Sequence, residues 1–224
     1  MHRTRVFVAA VALVLTSQLG SAQDLSRYRA YVLESSLESV VAASGARAAD
    51  ARTLHERPAR IQELEWRAPY ASSGSQMVDP VRGAVFAFYD DALYQMVVNY
   101  DRERTDGLTT GEIIDSLTAL YGEPVLKTAR NRPPAARPEA VVLAQWDSQV
   151  SSLTLLRDGF STEYQLVLMS KALGLRARDA IREAGRLDAI EAPRREIEER
   201  KKAVTDAAVT REKTRTTNKA AFRP

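Results

Sequence analysis

The side chains able to do chemistry are few and scattered. The chain has 224 residues, two histidines and no cysteine. Past the first 22 residues His55 is the one histidine left. A histidine zinc site, a Ser-His-Asp triad or a paired-histidine phosphatase needs more than this, or a nucleophile motif beside it. No G-x-S-x-G elbow, P-loop or G-x-G-x-x-G occurs. His55 stands in the polar run His55-Glu56-Arg57-Pro58, as a loop or capping histidine would. Asp101 and Glu112 have the end-to-end spacing of a calcium loop, with Glu103 and Thr105 between them. Its sixth position is Asp106 where a glycine is needed, and a strand precedes it in place of a helix. Glu112 fits a capping role better. Asp90 and Asp91 are adjacent carboxylates of the type a glycosidase uses, but at a hairpin turn such residues are turn formers. The expectation is no catalytic residue, no cofactor and no metal. A weak carboxylate-dependent hydrolase built on Asp90 and Asp91 is kept as an alternative.

Residues 1–22 have the layout of a secretory signal. His2, Arg3 and Arg5 are basic, Val6 to Leu15 is apolar, and Gly20-Ser21-Ala22 supplies small residues for cleavage near Ala22. The apolar run is too short for a permanent span, which takes about 20 residues. A periplasmic or secreted protein is expected, and a retained anchor is the alternative. Without cysteine, such a domain holds by packing and backbone pairing alone. Charge is divided along the chain. Residues 23–170 hold 15 basic and 20 acidic side chains, a net of −5, whereas residues 171–224 hold 15 and 9, a net of +6. A basic tail on an exported chain suits anionic lipid head groups or an acidic protein face, and nucleic acid is not expected as a partner.

The elements that would position these residues form an internal repeat. Leu37-Glu-Ser-Val-Val-Ala-Ala-Ser-Gly45 aligns with Ile114-Asp-Ser-Leu-Thr-Ala-Leu-Tyr-Gly122. Each reads as a short amphipathic helix, with Leu37, Val40 and Val41 on one face of the first and Ile113, Ile114, Leu117 and Leu120 on one face of the second. Each starts at a capping box, Ser35 with Glu38 and Thr109 with Glu112, and ends at a glycine. A strand bearing tryptophan follows, alternating at Gln62, Leu64, Trp66 and at Val142, Ala144, Trp146. A hairpin closes each unit. Ala84–Tyr89 turns at Asp90-Asp91 into Leu93–Tyr100, and Ser152–Arg157 turns at Asp158-Gly159 into Glu163–Ser170. The returning strands read Tyr94-Gln-Met-Val-Val98 and Tyr164-Gln-Leu-Val-Leu168. The offset between copies runs 77, 80, 70, with loop length absorbing the drift. The predicted fold is α+β: two tandem units, about 35–100 and 109–170, pair into one antiparallel sheet with helices on one side, followed by a helical tail. Trp66 and Trp146 belong to its core.

Pro69 to Pro80 and Asn131 to Pro138 read as exposed loops. From Ala172 the period is helical, with Leu173, Ala177, Ala180, Ile181, Ala184, Leu187 and Ile190 in one stripe. That amphipathic helix, 171–192, is expected to pack on the body or on a partner. Pro193 is expected to interrupt it. Residues 193–224 are a charged tail, either a solvated helix running into disorder or a helix that orders on a partner.

The paired units at Ser35–Tyr100 and Thr109–Ser170 resemble the tandem-repeat architecture of the β-lactamase inhibitor protein and of SmpA/OmlA-like envelope lipoproteins. The chain also resembles other small exported bacterial proteins. The resemblance covers about two-thirds of the chain, and this chain lacks the acylated cysteine of the lipoproteins and every cysteine of the inhibitor. It implies a sheet face or loops that bind another protein. The leading expectation is therefore a non-catalytic envelope module that binds an envelope protein. Candidate contacts are Tyr89, Tyr94 and Tyr100, which are otherwise core, and the tail cations Arg194, Arg195, Arg200, Lys201 and Lys202. A carrier of a small ligand or lipid, its pocket closed by the helix at Leu173–Ile190, is the second class.

Overall fold

A computed structural model of the chain describes residues 24–68, 79–125, 140–159, 163–221 and 223. The signal-like segment and most of the two loops, at 69–78 and 126–139, lie outside the described residues. The chain opens with a two-stranded ribbon, β1 (Arg27–Tyr28) and β2 (Tyr31–Val32). Helix α1 (Leu37–Ser44), a 3₁₀ turn at Ala48–Asp50 and strands β3 (Arg52–His55), β4 (Ile61–Arg67), β5 (Val81–Tyr89) and β6 (Ala92–Tyr100) make the first unit. A single turn, α2 (Arg102–Thr105), leads to the second unit: α3 (Thr110–Tyr121), β7 (Val141–Asp147), β8 (Ser151–Arg157) and β9 (Tyr164–Ser170). Helix α4 (Lys171–Ala221) ends the chain.

The seven strands form one antiparallel sheet in the order β3-β4-β5-β6-β9-β8-β7. The two returning strands of the repeat, β6 and β9, meet at its centre. Their register places Val97 opposite Val167, Met96 opposite Leu168 and Val98 opposite Leu166. Val97 and Val167 are equivalent positions of the two copies, so the pairing is that of a local twofold axis through these valines. The outer strands obey the same symmetry. Trp66 pairs with Ala84 and Leu64 with Phe86 in one unit, as Trp146 does with Leu153 and Ala144 with Leu155 in the other. The tryptophans thus occupy matching places at the two ends of the sheet.

One face of the sheet carries α1 and α3. Val40 and Leu117 pack there on Leu64, Phe86, Met96, Trp146, Leu155 and Leu166, and the β1–β2 ribbon adds Leu25, Tyr28 and Leu33. The start of α4 lies on the opposite face, where Ala177 and Ala180 cover Ile61, Ala87 and Tyr94. Alanine is what lets a helix approach a sheet this closely. The helix leaves β9 without a loop. Ser170 Oγ accepts from the Leu173 N–H at 3.4 Å and donates to Glu34 Oε1 at 2.9 Å.

Four local expectations are corrected. The cap of α1 is Ser36, which accepts from Ser39 N, while Ser35 Oγ donates to the Val32 carbonyl. Starting the helix at Leu37 puts Ser39, not Glu38, at the third helical position. Thr109 and Glu112 do form the reciprocal box. Leu120 is exposed, because one residue further Tyr121 takes the inward place and donates to the Arg27 carbonyl at 3.1 Å. Trp66 is only half-buried, whereas Trp146 is fully buried. Last, α4 runs through Pro193. The proline has no N–H for the Ala189 carbonyl four residues back, yet the helix continues, with Arg195 Nη2 donating to both the carbonyl and the carboxylate of Asp188.

Candidate functional site

The three tyrosines proposed as contacts do not form one surface. Tyr94 is buried beneath α4, and Tyr89 is half-buried at the margin of the same cluster. Tyr100 faces the other way, half-buried against the main core. Its hydroxyl lies 3.4 Å from that of Tyr28. Arg29 stacks over the Tyr28 ring at 5.3 Å and is paired to Asp79 at 2.5 Å, which joins the ribbon turn to the start of β5.

This cluster of Tyr28, Tyr100 and Tyr121 escaped the sequence reading because a two-residue strand has no periodicity to reveal it. Burial pushes the Tyr28 and Tyr100 hydroxyls up from the ordinary phenol value and takes Tyr121 to about 12. A phenol whose folded pKa is raised stabilises the fold fully below pH ~10, the unfolded value, and that contribution is lost as pH rises through the folded value. In an alkaline absorbance titration at about 295 nm, these phenols are therefore expected to ionise only together with loss of the folded circular-dichroism signal. Complete ionisation of every tyrosine near pH 10 with the fold intact would contradict their burial.

The carboxylates considered for catalysis are engaged by backbone. Asp90 and Asp91 form the β5–β6 turn with positive φ of 45° and 73°, the backbone of a two-residue hairpin loop. Asp90 Oδ1 accepts from Arg60 N at 2.8 Å and Asp91 Oδ1 from Leu37 N, the first residue of α1, at 3.3 Å. Each carboxylate therefore ties the turn to a different element. Asp91→Ala is expected to cost about 1–2 kcal/mol, combining a lost acceptor with a side chain in the left-handed region. Asp91→Gly should cost about 1 kcal/mol less, since only the acceptor goes; urea unfolding of the pair checks this. Asp101 caps α2 by accepting from Glu103 N and Arg104 N, and Glu112 closes the box with Thr109. Both carboxylates are thus used as helix caps, and no group of three or more His, Asp or Glu able to hold a metal occurs among the described residues. His55 ends the edge strand β3, half-buried opposite Ile61.

Among the clefts bordered by described residues are two on the α1/α3 face. One, of about 210 Å³, is lined by Tyr28, Tyr31, Trp66, Asp79, Met96 and Val98. The other, of about 170 Å³, lies between α3 and the sheet among Tyr100, Leu108, Ile113, Leu117 and Tyr164, with Arg104 at its side. Helix α4 closes neither, because its stripe is packed directly onto the opposite face.

The tail cations share a different setting. Arg57 and Glu191 form the last ion pair between the body and α4, and every described residue beyond Glu191 is exposed. Arg195 is paired to Asp188 at 3.2 Å and Arg200 to Glu196 at 2.6 Å. Arg194, Lys201 and Lys202 have no carboxylate partner among the described residues. None of the described helices is long and apolar enough to cross a membrane. Comparison with protein families, with curated proteins and with solved structures found no match to this chain.

Proposed function

We propose that the protein is an exported, non-catalytic protein-binding module of the cell envelope, a double-unit sheet from which a long helical arm projects. The observation that carries this is the division of α4. Its first turns are buried on the sheet through Gly174, Ala177, Ala180 and Ala184, and from Ala192 to Ala221 nothing is buried. At 1.5 Å per residue this exposed stretch reaches about 45 Å. It adds nothing to the core, so its contacts are external. The export reading rests on the signal-like first 22 residues and cleavage near Ala22. The tandem architecture, whose sequence resembles the arrangement of the β-lactamase inhibitor protein and SmpA/OmlA-like proteins, supports binding over catalysis as fold-level analogy alone.

The test is a crosslinking capture from an envelope extract with the mature protein and with a chain ending before Pro193. A partner held by the first and lost by the second supports the arm as the binding element, and one held by both moves binding to the sheet and its loops. Failure of both to capture any protein in reciprocal experiments would overturn the reading. The two clefts favour a small-ligand carrier as the second reading. Native mass spectrometry of gently purified protein would show the retained ligand as added mass.

A further inference from the structure

The arm's side chains are sorted around the helix. Ile190, Ile197 and Val204 recur every seven residues, all exposed, so they form one line along the helix. Four residues on from each, and so beside that line, stand Arg194, Lys201 and Ala208. Arg211 and Arg215 continue the two columns toward the C-terminus, and Lys219, four residues beyond Arg215, lies on the same face. Glu198, Glu199 and Asp206 fall one or two residues after an aliphatic position, which turns them by about 100° or 200° onto the rest of the circumference. The one carboxylate near the line, Glu212, is neutralised by Arg215 at 2.8 Å. Arg194, Lys201, Arg211 and Lys219 have no carboxylate partner among the described residues.

We infer that the exposed half of α4 lies lengthwise on an anionic lipid surface, its aliphatic line seated among the head groups and its flanking cations on their phosphates. A second copy of the arm is a poor occupant. A coiled-coil seam needs a second apolar column three residues on, and here that column reads Pro193, Arg200 and Ala207. A single aliphatic line with cations on both sides suits a bilayer interface, where long basic side chains lay their stems on the apolar zone and keep their charge in the head-group layer. Each such cation adds a favourable term near a negative leaflet. The inference takes from the proposed function only the idea that the arm is a contact element, and purified protein with vesicles tests it without any protein partner.

The experiment is sedimentation of the full mature chain with vesicles of phosphatidylcholine alone and with about 30% phosphatidylglycerol, at low and physiological salt. The native chain is expected to bind the anionic vesicles and not the neutral ones, more weakly as salt rises. A variant reversed along the line, R194E/K201E/K219E, should lose at least about tenfold in partition. Reversing two cations elsewhere on the arm, K202E/K213E, should lose no more than about threefold, less than the matched pair on the line, R194E/K201E. All of these positions are exposed, and circular dichroism confirms that the variants keep the body folded. Equal losses by the two pairs would reduce the effect to net charge and overturn the oriented contact. So would equal binding to both vesicle types, binding to polyglutamate without vesicle binding, or a lipid-free dimer in sedimentation equilibrium that dissociates in the R194E/K201E/K219E variant.

Discussion

Replacing Trp146 by alanine is expected to destabilise the protein by about 3–5 kcal/mol, while Trp66→Ala, at the symmetry-equivalent place, costs about 1–2 kcal/mol. The two residues share strand position and register, each opposite a core residue of the next strand, Ala84 or Leu153. Their surroundings differ. Trp146 is 1% exposed and its indole Nε1 donates to the Gly122 carbonyl at 2.5 Å, at the C-terminal end of α3. Truncation there opens a cavity under the helix and also leaves a carbonyl without its donor. Trp66 makes no such bond to Gly45 among the described residues, and its ring borders the cleft beside Tyr31, so water reaches part of the space it would vacate. Urea unfolding of the two variants gives the comparison. Equal losses would mean that the two ends of the sheet carry equal weight despite their unequal burial.

That asymmetry is the part of the fold the sequence did not carry. The repeat was legible because its signals are local: a glycine after each short helix, a tryptophan in each following strand, and the matching Tyr-Gln-x-Val steps of β6 and β9. Period-2 alternation then sorts most strand residues between the two faces, but the bulges in β5 and β6 and the central pairing of Val97 with Val167 are seen only in the structure. Three features depended on contacts distant in sequence. The β1–β2 ribbon is two residues per strand and is held by Tyr28, Arg29–Asp79 and the Tyr121 hydroxyl bond to Arg27. The turn carboxylates act on Arg60 and Leu37, 30 and 54 residues away. Pro193 reads as a helix stop on local grounds, yet a helix already anchored on the sheet through Ala177, Ala180 and Ala184 passes it. For the candidate contacts, strand tyrosines are as useful to a core as to an interface, and sequence does not say which. The tail cations were readable as exposed because their neighbours offer too few apolar groups to bury.

Cutting the chain in two places along α4 should give opposite results. A chain ending at Ala192 is expected to keep its cooperative melting temperature within about 2 °C, because no described residue beyond Glu191 is buried. A chain ending at Ser170 uncovers Ile61, Ala87 and Tyr94, which are buried under Leu173, Ala177 and Ala180. At about 1.5–3 kcal/mol for each of the two large side chains, Ile61 and Tyr94, returned to water, the loss of about 3–6 kcal/mol reaches the lower end of an ordinary domain's whole stability, about 5–15 kcal/mol. That chain should show no cooperative transition, or should aggregate through the uncovered face. The arm itself should melt separately. Solvated helix with few apolar contacts loses its structure gradually with temperature, so the full chain should show a sloping helical signal at 222 nm before the cooperative step, and the chain ending at Ala192 should lack the slope. If the shorter cut at Ala192 lowered the melting temperature by 5 °C or more, the arm would have to contact the body. The sheet would then share its helix between core and arm along its whole length, and the division of α4 that supports an external contact would be gone.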